Sequence, residues 1–348
     1  MSYVALYVEN AGTIASANAL LASKPNDVSC RLLCETNDIS AFQNTPTKVA
    51  NTHDALLRLI RESVDSIESL VLGPNHDSNK TQRIIACCEE LNIPSIFVTD
   101  HWGRNIESIS SEKNNTRWPT LILSIDSTVE DELAQIGTDQ SLIKSIGHLG
   151  IRHKLDLLED LNQNNIRQIR DQLGLRQNTI AILVVLEVII DGDVSGSDQY
   201  WLIPEIDFAL RSNGIKNATV IVRPHPSDTP GACKKYLDTR EFSNSIIICP
   251  SSLTDWQSLV TAQLVVGSNS TLLALSAAFG VPSIVMTYGL GARSTIPHLK
   301  NYRVASQKQL IHRMKNAMNY TNTDIGAKFV PPETLSNAWS AIRSVDSY

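Results

Sequence analysis

Leu264-Val265-Val266-Gly267-Ser268-Asn269-Ser270-Thr271 is the stretch on which the fold of this chain turns. Leu264, Val265 and Val266 form an apolar run of strand length, and residues 272–279 (LLALSAAF) read as a helix packed on most sides. Gly280 stops that helix, and Val281-Pro282-Ser283-Ile284-Val285-Met286 reads as the next strand. Strand, turn, helix and strand make one parallel βαβ unit. The turn sets Gly267, Ser268, Asn269, Ser270 and Thr271 at a helix N-terminus. There, unpaired backbone N–H groups and the positive end of the helix dipole favour an anion, most often a phosphate. The same residue types are the favoured helix caps, so capping is the competing use of this turn.

A second stretch, Arg223-Pro224-His225-Pro226-Ser227-Asp228, ends the β-branched run Ala218-Thr219-Val220-Ile221-Val222. Two prolines around a histidine stiffen the backbone and remove two N–H donors. His225 and Arg223 are therefore expected at the carboxyl end of a strand, the edge where open α/β sheets bind ligands. The two stretches are expected to share that edge and hold one phosphate ester.

Composition sets the outer bounds. A chain of 348 residues with 42% hydrophobic content suggests two domains with sizeable cores. A net charge of −6, with no run of five basic residues, offers no field to hold nucleic acid. The six cysteines lie mostly in apolar segments with no CxxC spacing, which points to reduced core thiols and a cytoplasmic setting rather than to zinc or a redox pair. The opening residues read as a first strand rather than a signal peptide, and no apolar stretch has the length of a membrane helix. Peripheral attachment to the inner membrane is left open, as is the oligomeric state.

Strand and helix patterns alternate through both halves of the chain. The expected organisation is a Rossmann-like domain over residues 1–152, a linking helix over 153–177, a second Rossmann-like domain over 178–325, and a tail over 326–348 that packs back. This is an α/β architecture of two doubly wound domains facing each other across a cleft, where a small ligand usually sits.

The layout resembles the GT-B glycosyltransferases and the nucleotide-sugar 2-epimerases. Arg223-Pro224-His225-Pro226 is similar to the His-Pro motif of bacterial sialyltransferases, polysialyltransferases and CDP-glycerol glycerophosphotransferases. The turn from Gly267 to Thr271, with Gly280-Val281-Pro282 after it, resembles their Ser/Thr motif. The resemblance implies a metal-independent enzyme with no resident cofactor. Such an enzyme moves a glycosyl or polyol-phosphate group from a nucleotide-activated donor to a glycan or other acceptor in surface polysaccharide assembly. It implies that His225 steadies the leaving nucleotide, that Ser268, Ser270 and Thr271 bind its phosphate, and that Arg223 neutralises it. The acidic triplet of the sialyltransferases is absent from the first half, so a nucleotide-sugar epimerase or hydrolase, or a non-catalytic assembly subunit, stays open.

Group transfer also needs a base for the acceptor hydroxyl. The strand-end run Asp100-His101-Trp102 offers Asp100 or His101 as that base and Trp102 as a stacking surface. Glu9, Asn10 and Gly12 follow the first strand, and Asn75-His76-Asp77 follow another, as weaker candidates of the same kind. Asp191-Gly192-Asp193 has a metal-binding look but no evident partner, and a solvated loop is the favoured reading.

Overall fold

The structure is a computed structural model of the whole chain. It describes all residues except 1, 36–41, 43–44, 76, 104–108, 110–115, 188–199, 227, 289–295, 318–328 and 346–348, and the side chains of 11, 300 and 301. His76, Ser227 and the Asp191-Gly192-Asp193 run therefore lie outside the described residues.

The chain divides into two compact units: Met1–His153 with Ala327–Tyr348, and Lys154–Gly326. The first opens with β1 (Tyr3–Val8), α1 (Ala11–Ala22), β2 (Cys30–Cys34), β3 (Thr47–Val49), α2 (His53–Glu62), β4 (Ile67–Leu72) and α3 (Ser78–Glu90). It continues with β5 (Ser95–Val98), β6 (Leu121–Ser124), α4 (Ser127–Gln135) and β7 (Ile143–Ser145). The division falls inside α5 (Leu149–Glu159), and α6 (Gln163–Gln172) follows it, so the stretch expected as a linking helix holds the end of one helix and the whole of a second.

The second unit contains β8 (Ile180–Val185), α7 (Leu202–Ser212), β9 (Ala218–Arg223), α8 (Ala232–Asp238), β10 (Ser245–Ile248) and α9 (Asp255–Leu259). β11 (Leu264–Gly267), α10 (Thr271–Ala278), β12 (Ser283–Met286), β13 (Arg303–Val304) and α11 (Gln307–Ala317) complete it. The chain then returns to the first unit as α12 (Thr334–Ser344). Its Trp339 joins the first unit's core and donates its indole N–H to the Leu20 carbonyl at 3.1 Å.

Each unit is built on one parallel sheet. The first runs β3-β2-β1-β4-β5-β6-β7 and the second β10-β9-β8-β11-β12-β13. Parallel strands with helices on both faces are buried on both sides, which is why β1 and β11 read as continuous apolar runs and are buried at every position. Strand order reverses between β1 and β4 in the first sheet and between β8 and β11 in the second. Loops leaving the carboxyl ends of those pairs diverge to opposite faces and open a crevice, the position where such sheets bind ligands.

Candidate functional site

In the first unit, β1 ends at Val8, and Glu9, Asn10 and Gly12 form the turn into α1. Asn10 caps α1 by accepting the Thr13 N–H at 3.0 Å, and its amide donates to the Pro74 carbonyl at 2.8 Å, tying together the loops on either side of the reversal point. At Gly12 the Asp100 carboxyl occupies the space a Cβ would fill. Asp100 leaves the end of β5, one strand beyond β4. Burial pushes its carboxyl up to about 7. A carboxyl that loses its proton near neutral pH is suited to proton transfer.

His101 and Trp102 follow Asp100 at this edge. The His101 Nδ1 donates to the Trp102 carbonyl at 2.7 Å. Trp102 is 0% exposed, donates its indole N–H to Asp126 at 2.8 Å and packs edge-on to Phe329. The expected stacking surface is thus a core side chain with no open face. Asn75 is buried and donates to the Glu9 carboxylate, while its own carbonyl accepts the Asp77 N–H at 2.9 Å; Asp77 caps α3.

A polar cluster not anticipated from the sequence surrounds Glu9. Lys80 of α3 reaches Glu9 Oε1 at 2.7 Å and Glu35 Oε2 at 2.9 Å, bridging the residues that follow β1 and β2. The Tyr7 hydroxyl lies 2.8 Å from Glu9 Oε2 and 3.0 Å from Glu35 Oε1. His53, first residue of α2, sets its Nδ1 2.9 Å from Glu35 Oε1. Burial favours protonated Glu35, but donors from His53, Lys80 and Tyr7 together hold its carboxyl below the usual range. The same carboxylates raise Lys80, while burial first and then the carboxylates raise Tyr7, so both keep their protons.

In the second unit, His225 follows β9 and the Gly267 turn follows β11, with β8 between them. Both loops leave the same edge, about 10 Å apart at the usual strand spacing. His225 is exposed and begins a turn closed by the Asp228 N–H on its carbonyl at 2.9 Å. The atoms packed beside its ring partly desolvate it and lower its proton affinity, opposed by Asp228, and Tyr200 holds Asp228 through contacts of 2.9 and 3.0 Å. Arg223 faces the β10 side of the sheet instead. Its Nη1 donates to the carbonyls of Leu253 at 3.3 Å and Thr254 at 3.2 Å, just before α9.

Gly267 lies beside the end of β8: a Cβ there would stand 2.5 Å from Val185 Cγ2 and 3.1 Å from the Val185 carbonyl oxygen. Ser268 is buried, Ser270 caps α10 by accepting the Leu272 N–H at 3.3 Å, and Thr271 opens the helix. The Asn269 N–H donates to the carboxylate of Glu187, which follows β8 across the reversal point. An anion does meet this turn, and in this structure it is the protein's own. Among the described residues no group of three or more His, Cys, Asp and Glu is placed to hold a metal, and no helix is long and apolar enough to cross a membrane.

No family model matches the sequence, and no curated protein does. Among solved structures, the chain is similar to the UDP-GlcNAc 2-epimerase of Neisseria meningitidis, solved with UDP-GlcNAc, at TM-score 0.70 and 11% identity over 99% of this chain and 100% of that one. The UDP-GlcNAc 2-epimerase of Methanocaldococcus jannaschii, in complex with UDP-GlcNAc and UDP, matches at TM-score 0.67 and 12% identity over 98% and 99%. The wall teichoic acid polymerase TagF matches at TM-score 0.60 and 11% identity over 99% and 88%. At these identities the likeness shows the fold: the chain has the two Rossmann-like units of the GT-B architecture.

Proposed function

We propose that this chain is an enzyme acting on a nucleotide-activated sugar or polyol phosphate. The observation that carries the reading is the placement of the Asp100 carboxyl against Gly12 at the carboxyl edge of one Rossmann-like unit, where burial raises its proton affinity. The other unit presents His225 and the α10 N-terminus at its own carboxyl edge. The second unit is read as the one that holds the nucleotide's phosphates. Main-chain N–H groups of residues 268–271 and the neutral imidazole of His225 donate to the ester oxygens and stabilise the leaving group. In the first unit, Asp100 is the group suited to take a proton from a hydroxyl. The transfer serves glycan or surface-polymer assembly.

A second reading, a nucleotide-sugar 2-epimerase, is favoured by the end-to-end likeness to the UDP-GlcNAc 2-epimerases. It would use Asp100 on the sugar itself, with no acceptor. Incubation with UDP-GlcNAc, CDP-glycerol and CMP-sialic acid, with and without a glycan acceptor, separates the two. Acceptor-dependent nucleotide release supports transfer, and a change of sugar configuration without acceptor supports epimerisation. If a nucleotide raises the melting temperature and no donor turns over, the chain is a binding subunit and the enzymatic reading fails.

A further inference from the structure

We propose that the groove between α2 and α3 of the first unit binds a small organic anion, one carboxylate on an apolar body, and that Arg58 is its anchor. The two helices lie side by side because each crosses in the same direction along the sheet, from β3 to β4 and from β4 to β5. Two ion pairs join them, Arg83 with Asp54 and Arg61 with Glu90, each across an offset of 29 residues. An equal offset at both ends means that the helices run in the same sense. The two pairs are two helical turns apart, about 10 Å.

Between these rungs stands a third with no acid in it. Residues 54, 58 and 61 share one face of α2, and residues 83, 87 and 90 share one face of α3. The common offset sets Arg58 against Cys87, where a matching rung would need a carboxylate. Arg58 is exposed and has no ion pair among the described residues. Asp54 is already engaged: the Arg83 guanidinium is the first cause that holds its carboxyl below the usual range, and Arg58 is the last. Cys87 supplies no charge either. It is 1% exposed, and burial pushes its thiol up, so the thiol keeps its proton at neutral pH.

The groove has the size and lining of a ligand site. Its volume is about 480 Å³, with Leu57, Ala86 and Cys87 as an apolar floor beneath the exposed arginines. Small-molecule sites typically enclose about 300–1,000 Å³, with mostly apolar walls and a few placed polar groups. Arg58, Arg61 and Arg83 against Asp54 and Glu90 leave one positive charge in excess, in a chain whose net charge is −6. A single carboxylate cancels that excess and takes two parallel bonds from the Arg58 fork, completing the ladder. Its apolar body covers the floor. A phosphate dianion overshoots the charge and meets Asp54 and Glu90 on either side. Neither Asp100 nor His225 lines this groove, so the site stands or falls apart from the reaction proposed above.

NMR titration of the full-length protein labelled with 15N-arginine tests this, with benzoate as the probe and benzamide and phenyl phosphate as comparisons. The Arg58 Nε–H resonance is assigned by its loss in Arg58→Gln. Benzoate is expected to shift it saturably, benzamide to leave it in place, and phenyl phosphate to bind no more tightly than benzoate. Read on the Arg61 and Arg83 resonances, benzoate affinity falls by at least about 10-fold in Arg58→Gln, and Arg58→Lys restores only part of it. Both variants change an exposed side chain and keep the circular dichroism of the wild type. Absence of a saturable shift with benzoate, or equal benzoate affinity in Arg58→Gln, overturns the proposal. So does benzamide binding as well as benzoate, or phenyl phosphate binding more tightly, and these two arms need only the wild-type protein.

Discussion

The carboxyl of Asp100 stands where a side chain on residue 12 would begin. Gly12 lies in the first turn of α1 and Asp100 beyond the end of β5, so a single hydrogen side chain sets how deeply this acid is buried. Gly12 carries no left-handed backbone angle, so alanine is compatible with the helix and even favoured by propensity. Gly12→Ala is therefore expected to fold and to push the Asp100 carboxyl outward. Because burial is the first cause of its raised proton affinity, the pKa should fall from about 7 toward the ordinary carboxylate range. Carbon-detected NMR of the Asp100 carboxyl checks this; an unchanged titration would mean that Gly12 does not control the site.

Asp100 should also make stability depend on pH in the sense opposite to a salt-bridged carboxylate. Its folded proton affinity, near 7, exceeds the unfolded value of about 4, so the native state binds more proton between these limits. Stability then falls as pH rises through that window, by up to about 4 kcal/mol, and the loss is complete above neutrality. Asp100→Asn is isosteric with the protonated acid. It should melt like the wild type near pH 4 and above it near pH 8. Equal melting temperatures at both pH values would show that the carboxyl is not desolvated.

Much of this fold is legible in the sequence because parallel strands buried on both faces announce themselves as apolar runs. Residues 218–223 and 264–267 are strands, and the Pro-His-Pro and Gly-Ser-Asn-Ser turns leave them at the same sheet edge. The cluster around Glu9 is not legible in the same way. Glu35, His53 and Lys80 come from successive crossover connections, and nothing in the local pattern of any of them points to the others. Glu187 is hidden for the same reason, since only the pairing of β8 with β11 brings it to the Asn269 N–H. Trp102 misleads because a strand-end position predicts exposure. Partners from distant segments, Asp126 and Phe329, enclose it instead.

Arg223 and His225 lie two positions apart, and their substitutions should diverge. The guanidinium of Arg223 serves the Leu253 and Thr254 carbonyls, so Arg223→Ala should cost about 1–3 kcal/mol of stability by leaving acceptors without their donor. Lysine should restore little, lacking the planar fork. His225 is exposed, so His225→Ala should change stability by no more than about 0.5 kcal/mol while lowering turnover of a nucleotide-activated donor by at least about 100-fold. Thermal melts paired with nucleotide-release assays check both. A large stability loss in His225→Ala, or full activity in it, would remove His225 from the site.

Glu187 gives the most direct test of phosphate binding at the Gly267 turn. Its carboxylate accepts the Asn269 N–H beside a helix N-terminus whose Ser270 cap is already in place. A nucleotide phosphate arriving at the same amides meets that negative charge and must displace or tolerate it. Glu187→Gln removes the charge and keeps the shape and the acceptor oxygen. Calorimetric titration with UDP should then show affinity higher by about 3–10-fold, equivalent to about 0.7–1.4 kcal/mol, with the gain largest at low salt. An affinity that is unchanged or weaker would place the phosphates away from this turn. Together with an inert Ser270→Ala, that result would leave the Ser-Asn-Ser sequence as a helix cap alone.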